Sequence, residues 1–233
     1  MNYAVILSGG VGTRLGLDIP KQYYEVNGKP IIRYVIETFE KSDIVDGMVI
    51  VAASEWQEYL FEQISSKEKF IGFAQPGENR QLSIYNGLCY LKDKLVADGQ
   101  GCEDVVVLIQ DAARPNTSLK TITECFSLSE EEDGAMPVLP MKDTVYSSLD
   151  GASISGLLDR KTIFAGQAPE SFRLEKYLAA NEALLPEAIL KINGSTEPAI
   201  MAGMNIKMIP GDENNYKVTT EADLKRFCEM FKG

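Results

Sequence analysis

Apolar residues fall along the chain in short continuous runs, separated by longer stretches in which they recur every three or four positions. Tyr3-Ala-Val-Ile-Leu7, Met48-Val-Ile-Val-Ala52, a shorter run from Phe70 to Ala74 and Val105-Val-Val-Leu-Ile109 read as buried strands. Residues 30–39, 54–64 and 81–95 carry helical spacing between them. In the first of these Ile32, Val35, Ile36 and Phe39 share a face, and Pro30 stands near the N-terminus. Strands apolar on both faces, alternating with helices, predict a mostly parallel sheet covered on both sides.

Beyond Arg114-Pro115 the pattern loosens. Residues 119–128 and 173–185 read as helices and 205–209 as a strand. Residues 135–140 predict an edge strand, because Pro137 and Pro140 lack the N–H that an interior strand donates. Residues 141–164, rich in Thr, Ser, Val and Ile with an Asp150-Gly151 turn, predict a protruding β-arm. Thr220-Glu-Ala-Asp223 has the pattern of a helix N-cap. Without an internal repeat or a dividing linker, the expectation is one three-layer α/β/α domain over residues 1–233.

Composition narrows the chemistry. With 45% hydrophobic and 24% charged residues among 233, the chain can bury a sizeable core and is not disordered. A net charge of −11 repels phosphate backbones and acidic headgroups, so neither nucleic acid nor a membrane surface is an expected partner. The chain has no histidine, which removes serine–histidine and cysteine–histidine catalysis and histidine-ligated zinc. Cys89, Cys102, Cys125 and Cys228 form no C-x-x-C pair, Met1-Asn2-Tyr3 has no basic leader, and no apolar run approaches the about 20 residues of a membrane span. A cytoplasmic protein with reduced thiols is expected.

Two segments carry candidate chemistry. Leu7-Ser8-Gly9-Gly10-Val11-Gly12-Thr13-Arg14 follows the first strand, and its glycines let backbone N–H groups approach an anion. It matches neither G-x-G-x-x-G nor the P-loop pattern, so it is a structural turn or an anion cradle. Arg14 and Lys21, in Ile19-Pro20-Lys21-Gln22, reverse the sign of charge locally, as a polyphosphate requires, or are solvated surface cations. The second segment, Gln110-Asp111-Ala112-Ala113-Arg114-Pro115, lies at the carboxyl end of the strongest strand, where open parallel sheets form their ligand crevice. Asp111 there is a candidate ligand for Mg²⁺, or the partner of Arg114 in an ion pair that closes the turn. Tyr23, Tyr24 and Trp56 read as packing aromatics rather than a base-stacking platform, since no basic groove accompanies them. Asp212 and Glu213 read as a solvated loop.

Further motifs occur in order: Pro76-Gly77-Glu-Asn-Arg80 followed by Ser83, Asp143-Thr144, Asp159-Arg160, Gly166-Gln-Ala-Pro-Glu-Ser-Phe172 and Tyr216-Lys217-Val218-Thr219. With the two segments above, they make nearly the whole chain resemble the cytidylyltransferases that act on 2-C-methyl-D-erythritol 4-phosphate or D-ribitol 5-phosphate. The resemblance implies a Rossmann-like nucleotidyltransferase that uses CTP and Mg²⁺, releases pyrophosphate and forms a homodimer through the β-arm. It implies that Ser8, Gly9, Gly10, Gly12 and Thr13 cradle the CTP phosphates and that Arg14, Lys21 and Lys217 are catalytic, with Arg14 and Lys21 stabilising the α-phosphorus. Gly77, Arg80 and Ser83 would recognise the nucleoside, and Asp111 the metal. Asp111, Arg114, Thr144, Arg160, Thr196 and Lys217 would hold the acceptor, with Arg160 reaching the partner subunit's site.

The chain departs from the family's pattern at Gln110, where His is frequent, at Ser195-Thr196-Glu197-Pro198, and at Gln167-Ala168-Pro169-Glu170 in place of Gln-Thr-Pro-Gln. These changes bear on the acceptor more than on the nucleotide. Pro30-Ile-Ile and the Gly166 to Phe172 segment lean toward the ribitol-phosphate branch. Two other readings are a sugar-phosphate nucleotidyltransferase with another base or acceptor and a nucleotide-binding regulator without catalysis. A dinucleotide-dependent reductase is disfavoured by the glycine spacing and leaves Arg14 and Lys21 without a task.

Overall fold

The computed structural model describes residues 1–10 and 19–231, so Gly12, Thr13 and Arg14 lie outside the described residues. Its first half alternates strands and helices: β1 (Asn2–Leu7), the short β2 (Glu25–Val26) and β3 (Lys29–Pro30), α1 (Ile31–Glu40), β4 (Gly47–Val51), α2 (Ser54–Glu62), β5 (Phe70–Ala74), α3 (Arg80–Ala97) and β6 (Val106–Asp111). The second half runs α4 (Leu119–Phe126), β7 (Gly134–Pro140), β8 (Val145–Ser147), β9 (Gly156–Leu158), β10 (Phe164–Gly166), β11 (Glu170–Arg173), α5 (Leu174–Glu182), α6 (Glu197–Met201), β12 (Ile206–Pro210) and α7 (Glu221–Glu229).

The main sheet has the order β10-β7-β11-β6-β1-β4-β5, with β12 also paired to β7. β1 is parallel to β4 and β6, and β4 to β5, whereas β11 is antiparallel to both β6 and β7. Successive side chains of a strand point to opposite faces, and the core divides accordingly. Ala4, Ile6, Met48 and Ile50 pack against Ile32, Val35, Ile36 and Phe39 of α1, Leu60 of α2 and Ile122 of α4. Tyr3, Val5, Val49 and Val51 pack against Ile84, Leu88, Leu91 and Leu95 of α3 and Tyr177 of α5. This is the expected three-layer α/β/α arrangement, with a mixed sheet in its second half.

One expectation is overturned. β7 is an interior strand: β11 pairs with it at Gly134 and Ala135, β12 runs parallel to residues 134–138, and β10 pairs with residues 138–140. The prolines are tolerated because both lie beyond the two residues that β11 pairs with, and Pro140 ends the strand. Pro137 still contributes its carbonyl, which accepts from Gln167 N–H at 2.8 Å.

β8 and β9 form a separate antiparallel pair, the predicted arm. Its tip is held by the Asp150 carboxylate, which accepts from the N–H groups of Ala152 and Ser153 at 2.9 and 2.7 Å, and by Gly151 at φ 71°. Among the described residues no helix is long and apolar enough to cross a membrane. The four cysteines are free thiols.

α7 begins with the predicted capping box: Asp223 N–H donates to Thr220 Oγ1 at 3.2 Å, and Thr220 N–H donates to Asp223 Oδ2 at 2.8 Å. The helix buries Phe227 against Ile31 and Val218, the residue after Lys217. Thr220→Ala is expected to cost about 1 kcal/mol of stability in urea unfolding. An unchanged midpoint would mean that the cap contributes nothing to the helix.

Candidate active site

The carboxyl ends of β1 and β6 open into a cavity of about 530 Å³, where an α/β sheet places its ligands. Leu7, Gly9 and Gly10 form one wall, Lys21 and Gln22 another, and the N-terminus of α3 a third. The glycine loop is tied down by Gln22, whose Nε2 donates to the carbonyls of Ser8 at 2.7 Å and Gly10 at 2.8 Å. Gly9 is required by close approach: a Cβ there would lie 2.5 Å from Pro76 Cβ. The start of α3 is capped by Asn79, which accepts from Leu82 N–H at 2.7 Å, and this places Arg80 at the helix entrance. Ser83 accepts from Gly77 N–H at 3.0 Å, so it braces the same turn.

At the cavity floor the last residue of β6, Asp111, meets three cations. Its Oδ1 lies 3.2 Å from Arg80 Nε, and its Oδ2 lies 3.0 Å from Lys217 Nζ and 3.5 Å from Arg114 Nε. Burial alone would raise the Asp111 carboxyl, but the charges of Arg80, Lys217 and Arg114 prevail and hold it well below the usual carboxylate range. Lys217 is brought here by a backbone bond from Val218 N–H to the Ala113 carbonyl, 2.8 Å long. Asn215 supports it by donating to Ala168 O at 2.8 Å and by accepting from Arg114 Nη1 at its own carbonyl at 2.6 Å. One carboxylate thus gathers three positive groups at the cavity floor.

A second cavity, of about 470 Å³, begins on the other side of Asp111 and shares Arg80, Asp111 and Lys217 with the first. Arg114, Met136, Glu170, Ser195 and Thr196 line its remainder. Arg114 Nε is buried and faces Asp111 Oδ2 at 3.5 Å, an ion pair without a well-formed hydrogen bond.

Of the predicted site residues that the structure describes, Gly9, Gly10, Lys21, Gly77, Arg80, Ser83 and Asp111 meet at the first cavity, and Arg114, Thr196 and Lys217 at the second. Ser8 lines neither cavity: it is buried, and its hydroxyl donates to Tyr23 Oη at 2.9 Å. Thr144 and Arg160 are exposed on the arm and line neither cavity of their own chain. Tyr23 stacks on Trp56 at 4.2 Å within the core, as packing aromatics do. Gln110 is fully buried and donates to Asp111 O and Thr117 Oγ1 at 3.0 and 2.9 Å, which shapes the turn after β6. Glu213 pairs with Lys142.

Sequence reasoning missed Gln22, Asn215 and the contribution of Gln167. Gln167 accepts from Asp212 N–H at 3.0 Å and donates to the Asp212 carbonyl at 2.9 Å, so it holds the loop leading to Lys217. A signal existed for Gln22 and Asn215, since both adjoin motif residues.

Among the described residues no three carboxylate or thiol groups gather into a metal cage. Asp111 is the carboxylate common to both cavities. Magnesium is commonly held by one or two carboxylates together with phosphate oxygens and water. The donor set therefore suits an ion that arrives with a polyphosphate.

Residues 2–230 match the family described as 2-C-methyl-D-erythritol 4-phosphate cytidylyltransferase. A ribitol-5-phosphate cytidylyltransferase from Streptococcus agalactiae serotype III is 31% identical over 234 residues, covering 99% of this chain and 95% of that protein. A 2-C-methyl-D-erythritol 4-phosphate cytidylyltransferase from Geobacter metallireducens is 32% identical over 228 residues, covering 95% of this chain and 94% of that one. The crystal structure of the Francisella tularensis 2-C-methyl-D-erythritol 4-phosphate cytidylyltransferase matches with a TM-score of 0.78 at 25% identity over 97% of each chain. The Anaerococcus prevotii 4-diphosphocytidyl-2C-methyl-D-erythritol synthase shares the fold, with a TM-score of 0.80 at 19% identity over 100% of this chain and 98% of that one. A match over nearly the whole chain, joined to a cation-lined cavity at the carboxyl ends of β1 and β6, makes this protein a member of the 2-C-methyl-D-erythritol 4-phosphate cytidylyltransferase family.

Proposed function

We propose that this cytidylyltransferase transfers CMP from CTP to the phosphate of a small polyol, D-ribitol 5-phosphate in preference to 2-C-methyl-D-erythritol 4-phosphate, and releases pyrophosphate. The observation that carries this reading is the pair of cavities meeting at Arg80, Asp111 and Lys217, one for each phosphorylated substrate. The preference draws on the streptococcal relative and on the Gly166 to Phe172 segment.

In this reading CTP lies in the first cavity, its phosphates against the Gly9-Gly10 backbone and Lys21. The acceptor lies in the second, its phosphate beside Arg114 and Lys217. An oxygen of the acceptor phosphate forms a bond to the α-phosphorus as the bond from that phosphorus to the bridging oxygen of pyrophosphate breaks. The acceptor phosphate is already ionised near neutral pH, so no general base is needed and a chain without histidine lacks nothing. Orientation of the two phosphates and neutralisation of their mutual repulsion remain for the protein to supply. Bound magnesium, held by Asp111, would supply further positive charge to the triphosphate oxygens. Thr144 and Arg160 would complete the acceptor site from the arm of a second copy.

Pyrophosphate release measured with CTP and Mg²⁺, in parallel with each of the two acceptors and with none, tests the reading. Release with D-ribitol 5-phosphate at the higher kcat/KM is expected. Greater efficiency with 2-C-methyl-D-erythritol 4-phosphate would reverse the preference, and silence with both would remove the acceptor assignment. Gly9→Ala is expected to weaken CTP binding about tenfold in an equilibrium titration, because relieving the contact with Pro76 displaces the loop at a cost of about 1–3 kcal/mol. Unchanged affinity would detach the loop from the nucleotide.

A further inference from the structure

The second cavity contains a buried carboxylate for which the reaction above has no use. Glu170 opens β11 opposite Ile109 of β6, is 7% exposed and faces the cavity. Its Oε1 accepts from Ser195 Oγ at 2.7 Å and its Oε2 from Thr196 Oγ1 at 2.9 Å. Burial and, less strongly, the Asp111 charge leave its carboxyl above the usual range, while the Ser195 hydroxyl, the Arg80 charge and the Thr196 hydroxyl favour the ionised form. Ser195 is held in place from behind, since Tyr177 Oη donates to its carbonyl at 2.6 Å. Thr196 Oγ1 also lies 3.3 Å from Met136 Sδ, a far weaker acceptor than the carboxylate.

With one hydroxyl on each of its oxygens Glu170 is placed as a carboxylate, which only accepts hydrogen bonds, and a hydroxyl has one proton to give. Both protons are therefore turned toward Glu170, and the Ser195 and Thr196 oxygens are left with lone pairs alone to offer a ligand. The cavity is chemically two-ended. Arg80, Arg114 and Lys217 surround Asp111 at one end, and three side chains that can only accept meet at the other. A phosphate fits the first end, and a ligand group at the second must donate.

We propose that Glu170 is a specificity-determining residue, which, through its own oxygens and the proton orientation it imposes on Ser195 and Thr196, selects acceptors whose carbon chain presents hydroxyl donors beyond the phosphate. This inference rests on the assignment of the second cavity to the acceptor. Glu170→Gln keeps the shape but replaces one acceptor oxygen with a donor, so one of the two hydroxyls must turn its proton toward the cavity.

The test is steady-state kinetics of wild type and Glu170→Gln with CTP and D-ribitol 5-phosphate, alongside thermal unfolding. The acceptor KM is expected to rise by about tenfold or more, the scale of a lost hydrogen bond to a charged group, with kcat, the CTP KM and the unfolding midpoint nearly unchanged. An unchanged acceptor KM overturns the proposal, as does a rise in both KM values together with a fall in kcat and in the unfolding midpoint, which is the mark of a structural brace. If the wild type turns over no polyol phosphate, the reaction assignment fails on its own, and calorimetric titration with D-ribitol 5-phosphate decides the inference separately. Binding at least about tenfold tighter to the wild type than to Glu170→Gln sustains it. Equal binding, or none to either, overturns it.

Discussion

Lys21→Ala is expected to lower kcat by about 10²–10³-fold, the usual consequence of removing one preorganised positive donor from a site where charge develops in the transition state. Lys21 follows Pro20, opens a short 3₁₀ turn and lines the first cavity. Its neighbour Gln22 is locked onto the Ser8 and Gly10 carbonyls, so the lysine's backbone is fixed relative to the glycine loop. That preorganisation is why the effect should fall on kcat more than on CTP affinity. Single-turnover kinetics alongside a CTP binding titration separates the two quantities. Near-normal turnover in the variant would remove Lys21 from the chemistry.

Asp111→Asn is expected to damage both stability and turnover. The carboxylate is buried and faces Arg80, Arg114 and Lys217 within 3.5 Å, so a neutral amide leaves three cations without a counter-charge. Leaving a buried ion unpaired typically costs about 3–5 kcal/mol, and the lower end applies because Arg80 and Lys217 are partly solvated. Turnover should fall at least about a hundredfold as the cations separate. Added pyrophosphate should recover more of the thermal midpoint in the variant than in wild type, since it replaces the missing negative charge. A midpoint indifferent to the substitution would mean that these cations are already neutralised by solvent.

Several features were legible before any coordinates because they are local. The capping box of α7 depends on two residues three positions apart, and it forms as written. The Asp150-Gly151 turn of the arm likewise depends on one short side chain and one glycine at φ 71°. The alternation of apolar runs with helical spacing placed β1, α1, β4, α2, β5, α3 and β6 to within a few residues, because each element buries its own periodic face. The loop after β1 and the Asp111 to Arg114 segment were found together because both follow parallel strands and therefore lie at the same end of the sheet.

What failed to show in the sequence depends on partners distant along the chain. Pro137 and Pro140 mark β7 as an edge only if one ignores that β10 and β11 flank one side of it and that β12, 72 positions later in register, flanks the other. Glu170 was visible as a departure from the family's pattern, but the Ser195 and Thr196 hydroxyls that bind its carboxylate lie 25 and 26 positions further along the chain. Ser8 belongs to the glycine motif by position, yet the fold turns its hydroxyl toward Tyr23.

The sequence by itself determined the class of fold and the family, since hydrophobic period, turn chemistry and ordered motifs are encoded residue by residue. Only the tertiary structure decided that Arg80, Arg114 and Lys217 converge on a single carboxylate, and that a second, Glu170, accepts from the Ser195 and Thr196 hydroxyls. Electrostatics and hydrogen-bond direction act through space over a few ångströms, and the distances that govern them come into being only when the sheet brings remote segments together.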